Sequence, residues 1–86
     1  MPLVSSFYGI FIYIYFRDHN PPHIHVKYSG KEALIDIYTK EIIKGKIPFR
    51  AYKLVAEWIE LHQNEILENW NLAVNGETPN KIEGLE

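Results

Sequence analysis

Cysteine is absent from this chain of 86 residues, so neither a disulfide framework nor a thiolate zinc site can organise it. Its absence is compatible with a reducing compartment. No apolar run approaches the roughly 18 residues of a membrane span, and the opening MPLVSSFYG has no basic segment ahead of an apolar stretch. The expectation is a soluble, cytoplasmic protein with no membrane contact. Excess charge of either sign is also small. Nine basic and eleven acidic residues leave a formal net charge of −2, so attraction to nucleic acid has to come from a local patch. Glycine-rich phosphate loops, G-x-S-x-G elbows and paired-carboxylate motifs are missing.

What is present is ordinary globular composition, 47% hydrophobic and 23% charged, in a length that fits one domain over residues 1–86. Gly9 to Arg17, GIFIYIYFR, reads as a strand because β-branched and aromatic residues dominate it. HNPP then breaks the pairing, since neither Pro21 nor Pro22 has an N–H to donate and Asn20 is pushed to an extended conformation. HIHVKY gives a second strand, Ser29-Gly30 a tight turn, and Glu32 to Tyr38 a third strand. Glu41 to Ile43 is short enough for one edge strand. After Pro48, apolar residues recur at three-to-four spacing through Leu54, Val55, Trp58, Leu61, Ile66, Trp70 and Ala73, which is an amphipathic helix stopping at Asn75-Gly76. Its length admits a break at Gln63-Asn64. The expected fold is α+β, an antiparallel three- to four-stranded meander packed on one face by a long C-terminal helix.

Alternation along the strands assigns the two faces of that sheet. Ile10, Ile12 and Ile14, with Ile24, Val26, Ala33, Ile35 and Ile37, form the side to be buried, and Phe16 falls on the same face. The other side carries Tyr13, Tyr15, Arg17, His23, His25, Lys27, Asp36 and Tyr38, a second core against the tail, a dimer interface or a platform for stacking bases. His23 and His25 stand two apart on one strand, so their rings share a face. Two imidazoles do not close a zinc shell, although Asp18 and His19 in the preceding loop are the residues that would complete a set. The reading therefore assigns no metal and no cofactor, and makes His23 and His25 the candidate acid–base groups. Trp58 and Trp70, twelve apart, face different surroundings, one under the sheet and one near the tail.

Taken in order, GIFIYIYFRDHNPPHIHVKY, GKEALIDI, KGKIPFRAYKLVAEWIELHQNEILENW and NGETPNKIEGL resemble a small prokaryotic family, domain of unknown function 4160. The resemblance runs from about Gly9 to Leu85. It implies a small operon-encoded protein beside an uncharacterised partner, in the manner of toxin-antitoxin pairs. Histidine on a strand, a charged third strand, then a turn and a helix are also similar to small toxin ribonucleases, whose initial helix this chain lacks. The functional expectation is a regulatory module that contacts RNA, DNA or a partner protein through Tyr13, Tyr15, Arg17, Lys27, Asp36 and Tyr38. Its rivals are a metal-independent ribonuclease using His23 or His25 and an interaction protein with the aromatic face buried in a homo-oligomer.

Overall fold

Strands β1 (Leu3–Phe7), β2 (Ile10–Tyr13), β3 (His23–Tyr28), β4 (Lys31–Asp36) and β5 (Ile42–Gly45) precede one helix, α1 (Phe49–Val74), in the computed structural model, which describes residues 2–86. The sheet is an antiparallel meander in the order β1-β2-β3-β4-β5. Thus the α+β class holds, with five strands where three to four were expected. The extra strand, LVSSF, escaped reading for a physical reason. A bulge between Leu3 and Ser5 turns both Val4 and Ser5 inward, which erases the period-two signal. Tight two-residue connections join β1 to β2 and β3 to β4, with Tyr8 and Gly9 at φ 51° and 78° and Ser29 and Gly30 at φ 50° and 80°. Two successive positive-φ residues match the right-handed twist of a hairpin, and glycine supplies the second without steric cost.

Ile10, Ile12, Ile14, Ile24, Val26, Ala33, Ile35 and Ile37 are fully buried against Val55, Trp58, Ile59 and Ile66 of α1. The helix therefore covers the face that alternation assigned to it. The first expected strand is shorter than its pattern, however. Beyond Tyr13 the backbone bonds leave the sheet, with the Ile14 N–H donating to the Pro2 carbonyl (3.2 Å) and the Arg17 N–H to the Ala73 carbonyl at the end of α1 (2.9 Å). Phe16, which shares the parity of the core isoleucines, is consequently exposed.

A straight helix of 26 residues would run about 39 Å, yet the longest dimension of the molecule is 32 Å. The helix kinks instead, at His62 (φ −122°, ψ 23°), one residue before the break its length admits. Next to the kink, the Gln63 amide donates to the Ile37 carbonyl at 2.8 Å and ties the bend to the sheet. The tail then returns over the first strand. The Ile82 N–H donates to the Val4 carbonyl (2.7 Å), Ile82 is buried, and Asn69 exchanges two hydrogen bonds with the backbone of Asn80. The β1 edge is thereby partly covered, which limits pairing with other chains.

Candidate functional site

Strand register builds the face opposite the helix in two rows. Tyr13 pairs with His25, His25 with Leu34 and Leu34 with Lys44; beside them Phe11 pairs with Lys27 and Lys27 with Glu32. Directly paired residues share a face, so these side chains line one surface. The Lys27 ammonium lies 5.1 Å from the Tyr13 ring centroid, within cation–π range. Tyr15 stacks on His25 at 3.8 Å and 11°. Together with Glu32, Leu34, Lys44 and Gly45 they line a groove of about 320 Å³.

At one end of this surface the loop after Tyr15 turns back over β3. Arg17 adopts φ 54°, and its backbone bond to Ala73 anchors the turn to the helix end. Asp18 is thereby delivered to the histidines. Its Oδ2 lies 3.0 Å from His23 Nε2 and 3.0 Å from His25 Nε2, while its Oδ1 accepts the His19 N–H at 2.8 Å. On the far side of the ring, His23 Nδ1 donates to the Pro21 carbonyl at 2.8 Å, because a carbonyl can only accept. His25 Nδ1 is buried without a hydrogen-bond partner; Glu32 Oε2 stands 3.6 Å away. Trp70 packs on His23 with ring centroids 5.2 Å apart. Burial alone would raise the Asp18 carboxyl, but hydrogen bonds from His25 and from the His19 backbone, with the charge of both ring systems, hold it below its ordinary value. Asp18, His23 and His25 each offer one ligand atom, all within 4.8 Å of one another.

Of the residues expected to bind a partner, Tyr13, Tyr15 and Lys27 meet on the open face. Arg17 does not join them, since its guanidinium lies against Gly76 just past the end of α1. Asp36 ends β4 opposite His23, and its carboxylate accepts the Tyr38 and Thr39 N–H groups of the β4–β5 connection at 2.7 and 2.9 Å. Phe11 and Lys44 were not singled out, although strand parity already put Phe11 beside Tyr13. The tryptophans are also differently placed: Trp58 lies in the core and donates to the Glu83 carbonyl of the tail (2.9 Å), whereas Trp70 braces His23. His19 lends its backbone N–H, and its ring is not part of the cluster.

A family model described as Domain of unknown function (DUF4160) matches residues 9–71. No curated protein and no solved structure matches significantly.

Proposed function

This chain belongs to the family described as Domain of unknown function (DUF4160), and we propose that it acts there as a small regulatory module binding single-stranded RNA or DNA through the open face of its sheet. The observation that carries the reading is the paired rows of Phe11, Tyr13, Lys27 and Lys44, aromatic rings beside ammonium groups on a face the helix leaves uncovered. Flat rings stack unpaired bases with little regard to sequence, at about 1–3 kcal/mol per base, and lysines follow the phosphates. Charge is partitioned in the same sense. Up to Lys53 the chain has eight basic and four acidic residues; from Leu54 onward it has one basic and seven acidic. A polyanion is thus drawn to the sheet half and repelled from the helix and tail. The face also fits the toxin-antitoxin-like setting that the sequence resemblance implies, where a regulator contacts nucleic acid.

Fluorescence anisotropy with a labelled single-stranded 12-mer, as RNA and as DNA, tests the proposal. Binding is expected to weaken about tenfold between 50 and 200 mM salt if two or three phosphates are neutralised, each adding about 0.7 to the slope. Lys27→Glu is expected to abolish it. Binding indifferent to both would sink the idea, as would a mass in solution showing the face closed in a dimer. Cleavage of the RNA in excess chelator, lost in His25→Gln, would instead favour a metal-independent ribonuclease.

A further inference from the structure

Three ligand-type atoms meet at the end of the open face, and their hydrogen-bond requirements conflict. His23 Nδ1 spends its hydrogen on the Pro21 carbonyl, so in the neutral ring Nε2 is a bare lone pair. That lone pair points at Asp18 Oδ2, an acceptor, 3.0 Å away. Two acceptors do not rest at this distance without something positive between them. His25 repeats the problem. If its Nε2 carries the hydrogen toward the same Asp18 oxygen, Nδ1 is a bare lone pair, buried, with no donor to meet it.

A single cation removes the first conflict and turns the second toward a carboxylate. With Nε2 of His23, Nε2 of His25 and Oδ2 of Asp18 all giving lone pairs inward, both histidines carry their hydrogens on Nδ1. His23 then donates to the Pro21 carbonyl, and His25 faces the Glu32 carboxylate at 3.6 Å. A ligating imidazole whose remote N–H meets a carbonyl or a carboxylate is the usual outer arrangement of protein metal sites. Two of the three ligand separations agree as well. Metal–ligand bonds of about 2.0–2.1 Å at angles between octahedral and tetrahedral imply ligand separations of about 2.9–3.4 Å. Both nitrogen–oxygen separations are 3.0 Å.

We propose that Asp18, His23 and His25 bind one divalent transition metal ion of the zinc or iron(II) class through two imidazoles and one carboxylate. Two imidazoles and a carboxylate without sulfur suit these ions and leave coordination positions open, the composition of reactive rather than purely structural centres. The histidine side chains are 8% and 10% exposed, and Asp18 is 20% exposed, so access is from the Asp18 side. Tyr15 over His25 and Trp70 against His23 hold the rings in place. Metal-free acid–base use of the histidines, the expectation from sequence, makes the same contacts only with a hydrogen on both ring nitrogens of His23, and it leaves His25 Nδ1 without a partner.

Metal-stripped protein titrated with zinc tests this, read by calorimetry and by thermal melting, with cobalt(II) absorption as a second probe of the untouched chain. One zinc per chain is expected, with a rise in melting temperature. Asp18→Asn and His25→Gln are expected to weaken uptake at least ~100-fold, beyond the ~10–100-fold that loss of an outer partner costs. His19→Ala should leave it unchanged. Circular dichroism confirms that each variant is folded. If a variant is unfolded, one cobalt per wild-type chain, displaced by zinc, supports the site, and its absence overturns it. Failure of the wild-type chain to take up stoichiometric metal overturns the proposal, as does uptake that survives in folded Asp18→Asn and His25→Gln. The measurement uses no nucleic acid, so its outcome is independent of the binding proposed for the sheet.

Discussion

Asp18 sits between two imidazoles with its carboxyl held below its ordinary range, and the consequence for stability has a definite sign. A folded value below the unfolded one gives stabilisation that is complete above about pH 3.9 and is lost as pH falls through the folded value. In chelated protein, Asp18→Asn is therefore expected to lower the melting temperature at pH 6, with the gap to wild type closing toward pH 2. A gap of constant width would show that the carboxylate charge contributes nothing. His23 and His25 were legible as a pair because a strand's period of two is visible in H-x-H. Asp18 was legible as a loop residue that could complete their set, but the contact itself depends on a loop folding back across five to seven residues and on Arg17 taking a left-handed backbone. Periodicity says nothing about such a path. Trp70 was hidden for a related reason: helical spacing shows that it faces inward but not which strand residue it meets.

Among the elements, the hairpin between β1 and β2 carries a visible cost. Tyr8 is exposed and holds φ 51°, a conformation that disfavours most side chains and that asparagine tolerates better. Tyr8→Asn is expected to stabilise the domain by about 0.5–1 kcal/mol in chemical denaturation, within the range of turn optimisations. A loss of stability would mean that the Tyr8 ring contributes packing that offsets the strain. Helix and central strands were legible from their hydrophobic periods, which buried packing imposes directly. The first strand was not, because its bulge disrupts alternation and its serines carry no strand signal. The kink in α1 lies one residue from the break that the sequence left open at Gln63-Asn64. Its location is fixed by tertiary contacts such as the Gln63 bond to Ile37, which no local pattern contains.

For the molecule as a whole, one sheet face is spent on the core and the other presents rings and lysines, while acidic residues collect on the helix and tail. A binding role for the open face depends on that division. Amide chemical-shift mapping of isotope-labelled protein against a single-stranded RNA 12-mer, in chelator and at low salt, tests it most directly. The account predicts shifts concentrated at Phe11, Tyr13, Lys27, Leu34 and Lys44, with the outer helix around Glu57 and Glu60 unmoved. Shifts confined to the helix, or none at all at saturating RNA, would contradict it.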